Sequence, residues 1–209
     1  MLTDLTCKEF LAELASESPA PGGGSVAALS GTLGAALVDM VGKLSVGREQ
    51  FKAHEGEVRA AMEEAAKLTG QLLSYVDQDT EAFNQVIVAF KLPRDSEELK
   101  KARLDAIQQA AKGAALLPLE VASSCYEVLK LCKCVAIEGN PNALSDAGVG
   151  ALMAFAGLQG ALFNVEINLA SIKDKQFVTE MKEKVRILGE QGALMRDEVI
   201  GFVRERLSD

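Results

Sequence analysis

The chain has 209 residues, 48% of them hydrophobic, with 22 basic and 30 acidic side chains for a net charge of −8. That length supports one substantial core rather than two. An acidic chain with two Tyr, no Trp and no arginine-rich tract suits nucleic acid poorly, though a small anion could still find a locally positive pocket.

Met1 to Phe10 holds Asp4, Lys8 and Glu9 where a secretory signal would be apolar. The four cysteines (Cys7, Cys125, Cys132, Cys134) lack paired Cys-x-x-Cys spacing, which argues against zinc and favours a reducing, cytoplasmic setting. Cys125 and Cys132, seven apart, share a helix face as small buried hydrophobes.

Thr6-Cys7-Lys8-Glu9 predicts a capping box that opens a short helix ending near Leu14. Two prolines and three glycines follow in Ser18-Pro19-Ala20-Pro21-Gly22-Gly23-Gly24-Ser25, a loop of unusual backbone freedom. Ser25 is expected to cap a helix reaching about Leu44. Its unpaired N–H groups and dipole suit an anion or a polar carbonyl; otherwise the glycines only let two helices approach closely. Ala27, Gly31 and Ala35 line one face of this helix, which marks it as the innermost one. Gly24 to Val41 is read as the one apolar run near membrane length. With Asp39 inside it and Lys43 just after, a buried helix of a soluble bundle is expected.

A long helix is predicted from about Glu49 to Phe90, stopped by Pro93. Asp95 with Glu98 is expected to cap the next, which runs to about Ile137 with a kink near Pro118. Glu138-Gly139-Asn140-Pro141-Asn142 reads as a tight polar turn. Further helices are predicted over Ala143 to Ile172 and Asp174 to Leu207. No alternating strand pattern, linker or repeat is present, so the expected fold is all-α: a bundle of long helices in a single domain, residues 1–209.

Polar residues on mostly buried helices need an explanation. Asn164 and Asn168 sit four apart on an apolar helix, satisfying neighbouring backbone or meeting a ligand. Asp146 is either a first-turn acid of that helix or part of a site. Asp77 and Asp79 point in different directions, and only Asp79, four before Phe83, is expected to face the core; the alternative is that both are surface charges. The only histidine, His54, lies in a polar stretch and reads as solvated. No Ser–His, Cys–His or histidine-rich metal arrangement is therefore expected, and acid–base work would fall to carboxylates, lysines, tyrosines or water.

In this order the segments resemble the formiminotetrahydrofolate cyclodeaminase/methenyltetrahydrofolate cyclohydrolase family. The resemblance rests on Pro19 to Ser25 with its small-residue helix and on Asp77-x-Asp79-x-x-Ala82-Phe83 ahead of Leu92-Pro93. It continues through Pro118-Leu119-x-Val121-Ala122, Gly139-Asn140 before Ser145-Asp146, and Asn164-Val165-x-Ile167-Asn168. It implies an all-helical cytoplasmic homodimer acting on the one-carbon unit of tetrahydrofolate, with no cofactor beyond the folate substrate and no nucleic-acid or membrane partner.

Two related activities are implied: hydrolysis of 5,10-methenyltetrahydrofolate, or ammonia release from 5-formiminotetrahydrofolate. The chain has no room for the transferase half of the bifunctional relatives, which favours the hydrolysis; a catalytically silent folate binder is a third reading. By family position Asp79 is the acid/base. Gly22, Gly23, Gly24 and Ser25 would line the cleft through backbone amides, and Asn140, Asp146, Asn164 and Asn168 would hold the pterin edges. Lys43 or Arg48 could meet the glutamate tail by charge.

Overall fold

Six α-helices carry nearly all of the chain in the computed structural model, which describes residues 1–208: α1 (Cys7–Leu14), α2 (Gly23–Lys43), α3 (Glu55–Lys91), α4 (Glu97–Glu138), α5 (Leu144–Leu169) and α6 (Lys175–Ser208). Single 3-10 segments cover Leu2–Asp4, Glu49–His54 and Pro141–Ala143, and the described residues contain no strand. The predicted capping box at Thr6 and Glu9 is present in both directions.

α2 and α5 form the centre, and small residues are the reason. A Cβ added at Gly157 would lie 2.7 Å from the Ala27 carbonyl oxygen, and one at Gly34 would lie 2.8 Å from that of Gly150. Backbone thus meets backbone with no side chain between, an approach only glycine permits. These contacts, with Gly23 beside Asn164, make the two helices antiparallel. α3 and α4 pack on α2, and α6 lies across α4 and α5. Cys125 and Cys132 are fully buried, and burial pushes both thiols up to about 12.

Several boundaries differ from expectation. α2 begins at Gly23 with Gly22 as its cap, so Ser25 lies inside the first turn and its hydroxyl caps nothing on its own helix. Glu49–His54 is 3-10, following Gly47 at φ +77, and α3 proper starts at Glu55. Ser96, not Asp95, caps α4, accepting the Leu99 N–H at 3.2 Å.

α4 continues through Pro118 as a single helix. Proline lacks the N–H that would bond the carbonyl of residue 114. Asn168 Nδ2 supplies the missing donor to Ala114 O at 2.7 Å.

The apolar run in α2 has a counterpart. Gly23–Lys43 and Pro141–Leu169 are both long and apolar enough to cross a membrane, and the most apolar windows of each are only 56% and 50% buried within the chain.

Candidate functional site

The first amides of any helix lack intrahelical acceptors. In α2 one of them is satisfied from another helix: Ser25 N–H donates to Asp79 Oδ2 on α3 at 2.9 Å. Ser25 Oγ lies 3.1 Å from the same oxygen and 2.9 Å from the Val76 carbonyl oxygen. One hydroxyl proton therefore serves two acceptors, and its choice depends on the charge of Asp79.

Gly24 makes this approach possible. A Cβ there would fall 2.0 Å from Asp79 Oδ1, inside any tolerable contact. Gly23 turns its open side to Asn164, whose Nδ2 would lie 3.5 Å from an added Cβ. Gly23 and Gly24 N–H groups donate to nothing among the described residues, so two backbone donors stay available beside the carboxylate. Asn164 Nδ2 bonds Gly160 O at 2.8 Å, leaving its Oδ1 without a donor among the described residues.

Burial raises the Asp79 carboxyl above its ordinary value of 3.8, and the two Ser25 hydrogen bonds only partly oppose that. Helix N-terminal amides favour the anion while desolvation penalises it, and desolvation wins. The adjacent Thr80 Oγ1 is buried without a partner. Its natural acceptor within α3, the carbonyl four residues back, is Val76 O, which Ser25 Oγ already occupies. The missing partner of this hydroxyl was invisible in the sequence, because it depends on a serine 55 positions away from Thr80 meeting α3 at that turn.

Asp77 is not a free surface charge: it accepts Leu2 N–H at 2.6 Å and the Thr3 hydroxyl at 2.8 Å, tying the N-terminal segment to α3. That segment roofs an apolar cavity of ≈ 390 Å³ lined by Leu2, Phe10, Leu14, Leu29 and Val76 among others. A more open groove of ≈ 810 Å³ runs between α3 and α4 past Asn84, Gln85 and Gln109. Asp79 lines neither.

The proposed folate-binding set divides. Gly22, Gly23, Gly24, Ser25, Asp79 and Asn164 gather at the start of α2. Asn168 lies one turn further along α5, its Nδ2 bound to Ala114 O. Asn140 and Asp146 lie at the other end of α2, about 30 Å away for a helix of 21 residues.

Asn140 is 4% exposed and accounts for itself structurally. Its N–H donates to Ser45 Oγ, its Nδ2 to Leu44 O, and its Oδ1 accepts Asn142 N–H. Asp146 occupies the first turn of α5, half-buried, with no hydrogen bond among the described residues. Lys43 pairs with Asp39, and Lys43 and Arg48 lie at this far end, so neither reaches Asp79 within one chain. His54 is exposed, as expected, and also lies 2.9 Å from Glu138.

Comparison with known proteins spans nearly the whole chain. The formiminotransferase-cyclodeaminase family model matches residues 6–187. A methenyltetrahydrofolate cyclohydrolase of Methylorubrum extorquens is 42% identical over 190 residues, 90% of this chain and 91% of that protein. The rat formimidoyltransferase-cyclodeaminase is 34% identical over 98% of this chain, which spans 38% of the rat protein's length. In three dimensions the crystal structure of formiminotetrahydrofolate cyclodeaminase from Thermotoga maritima superposes with a TM-score of 0.89 and 28% identity, covering 99% of this chain and 100% of that one. The family model over residues 6–187 and relatives matched over most of the chain show that this chain belongs to the formiminotransferase-cyclodeaminase family.

Proposed function

We propose that the chain is an enzyme that hydrolyses 5,10-methenyltetrahydrofolate to 10-formyltetrahydrofolate, with Asp79 as its acid/base. The observation that carries this is the half-buried Asp79 carboxylate, held by the Ser25 N–H and hydroxyl at the glycine turn that starts α2. The full-length similarity to a cyclohydrolase points to the same reaction.

The substrate carbon sits in a cationic amidinium between N5 and N10. An anionic Asp79 stabilises that cation and accepts a proton as water adds to the carbon. The cation is discharged and a neutral tetrahedral carbinol forms. Asp79 then returns its proton to N5 while the carbinol hydroxyl loses its own to solvent. The C–N5 bond breaks as the C=O bond forms, and one proton is released overall.

The Gly23 and Gly24 N–H groups, which bond nothing among the described residues, would hold the oxygen during this passage. A carboxyl whose pKa burial raises suits both halves of the cycle, since it accepts a proton more readily than an ordinary carboxylate and can still return it. Ser25 follows the charge: its hydroxyl donates to Asp79 when ionised and to Val76 O when Asp79 is protonated. Asn164 offers its free Oδ1 to the pterin amine edge. Asn168 has one amide hydrogen committed to Ala114 and only its remaining polar positions for substrate.

The assay is loss of the methenyl absorbance with purified protein. Turnover is expected in the parent and at least about a hundredfold less in Asp79→Asn, whose circular dichroism stays parental. Parental turnover in that variant would remove Asp79 from the mechanism. Ammonia release is the second reading, favoured by the fold match to a cyclodeaminase. Measuring ammonia from 5-formiminotetrahydrofolate in parallel decides between them. Folate binding with neither turnover would mark a silent binder.

A cytoplasmic homodimer is part of the same reading. α2 and α5 leave Leu33 and Met40, Val149 and Leu152, Phe163 and Ile167 exposed, Phe163 by 65% and Ile167 by 73%. Apolar area of this extent on two central helices calls for a cover, and a second copy supplies a matching one. A two-fold axis through this face and perpendicular to α2 would run the two α2 helices antiparallel. Asp146 of the partner subunit would then approach Asp79, reuniting the two halves of the folate-binding set. Light scattering at the dimer mass supports this; a monomer, or partition into membranes, overturns it.

A further inference from the structure

The apolar cavity of ≈ 390 Å³ under the N-terminal segment takes no part in the chemistry described above. Val26 and Leu29 on α2 and Val76 on α3 form its floor, and Leu2, Phe10 and Leu14 form its roof. Native cores leave few voids larger than a water molecule. An apolar cavity of about 150 Å³ already suffices for benzene. Asp77 holds the roof in place through the Leu2 N–H and the Thr3 hydroxyl, so the space is built into the fold.

Its position relative to Asp79 suggests what fills it. Val76 precedes Asp79 by three residues on α3, a spacing that sets side chains about 5–6 Å apart on one face. Val26 directly follows Ser25, whose N–H and hydroxyl hold the Asp79 carboxylate. In either folate substrate N10 is bonded to the reacting carbon or attacks it, and N10 is itself bonded to the aromatic ring of the aminobenzoyl group. A folate that presents its carbon to Asp79 therefore carries that ring within reach of Val26 and Val76. The pterin suits the cavity poorly, because its amide and amine edges need partners. The lining offers two hydroxyls, Thr3 and Ser30, and that of Thr3 is committed to Asp77.

Ser30 is the second pointer. The other hydroxyls of α2, Ser25 and Thr32, lie 2.9 Å from the carbonyl oxygens of Val76 and Ala28, whereas the half-buried Ser30 bonds nothing among the described residues. It follows Ser25 by five residues, about 7.5 Å along the helix. The para-linked ring carries its benzoyl carbonyl a comparable distance from N10. We propose that this cavity is the subsite for the aminobenzoyl ring of the folate substrate, with the Ser30 hydroxyl donating to the benzoyl carbonyl oxygen. The inference rests on the folate reading of Asp79, but not on which of the two reactions is run, since both substrates carry the ring. Apolar walls hold the ring and one donor sets its orientation. The contact is remote from the reacting carbon, so it serves substrate and transition state alike.

Kinetics with full-length protein test the subsite. Leu14→Trp, which fills the cavity from its roof, is expected to raise KM at least about tenfold with kcat within about threefold of the parent. Ser30→Ala should raise KM at least about threefold in the same way, and both variants should keep the parental circular dichroism. A second readout needs no turnover. Cys7 is exposed and lines the cavity, whereas Cys134 packs beside Glu57 at the other end of the bundle. 4-Aminobenzoyl-L-glutamate at twice its dissociation constant should slow iodoacetamide alkylation of Cys7 about threefold and leave Cys134 unaffected. Leu14→Trp should abolish that protection. Parental KM in both variants would overturn the subsite while leaving the reaction standing, as would equal alkylation of Cys7 with and without the fragment. If the parent turns over neither folate, the reading of Asp79 fails, and protection of Cys7 alone then decides for or against the cavity.

Discussion

The two ends of the α2–α5 pair are made from similar materials, a glycine turn, a serine and an asparagine or aspartate, yet they solve different problems. At the far end, Asn140 has donors and acceptor all matched, and Ser45 serves it while bonding Val41 O. At the near end, the Gly23 and Gly24 amides are unmatched, the Thr80 hydroxyl is orphaned, and a desolvated carboxylate leans on one serine. Buried polar groups are normally paired, and departures are costly. The satisfied end reads as structure and the unsatisfied end as chemistry.

That contrast can be broken experimentally. The largest effect is expected from Asp79→Asn: turnover falls by about a hundredfold or more while an amide oxygen still accepts the Ser25 N–H, so melting stays near parental. Loss of fold together with activity would make Asp79 merely a cap. Gly24→Ala comes next. Its methyl would collide with Asp79 Oδ1, displacing the carboxylate; turnover should drop about tenfold or more, with about 1–3 kcal/mol of stability lost to the clash. Parental kinetics there would show that the contact with Asp79 is not needed.

Asn140→Ala should do the reverse, lowering stability by about 2–3 kcal/mol in denaturant melts by stripping partners from Ser45, Leu44 and Asn142. A raised KM with unchanged melting would instead move Asn140 into the folate site. Thr80→Val should stabilise by about 1 kcal/mol, because it replaces an unpaired hydroxyl with a methyl of similar size. A destabilised variant would mean the hydroxyl has a partner in solution.

The smallest effect is in pH dependence. The folded Asp79 holds its proton above pH 3.8, where the unfolded chain has already lost it. Stability contributed by this group is therefore greatest at low pH, falls as pH rises through the window above 3.8, and is level beyond the folded value. Asp79→Asn lacks this titration, so it should gain on the parent across that window and show no relative gain below it. Identical pH profiles would show that burial does not perturb the group.

Much of the scaffold was legible one residue at a time. Thr6 and Glu9 announce a cap because the capping box is local, and Ala27, Gly31 and Ala35 announce the central helix because close packing demands small side chains at that period. The boundary errors have local causes too. Ser25 resembles a cap, but three glycines let the helix start earlier, and Ser96 lies nearer the α4 amides than Asp95. The apolar helix over Ala143 to Ile172 was expected, but that Pro141–Leu169 is long and apolar enough to cross a membrane was not, because its glycines and polar residues dilute the run.

The site was only half legible. Asp79 stood out through its family motif, and the structure brings it to the glycine turn. Asn140 and Asp146 were grouped with Asn164 and Asn168 by motif order, which carries no distance. The partnership of His54 with Glu138 joins residues 84 positions apart, beyond any periodicity.

The order of small, apolar and polar residues was enough to settle an all-helical bundle, its innermost helix and the carboxylate most worth testing, because capping and periodicity act within a turn or two. Only the packed chain decided that Asp79 closes the start of a different helix, that Asn168 repairs the bond Pro118 cannot make, and that the folate-binding candidates lie at opposite ends. Those outcomes depend on how helices cross, and a free backbone N–H will donate to any carboxylate or carbonyl oxygen that the crossing brings within reach.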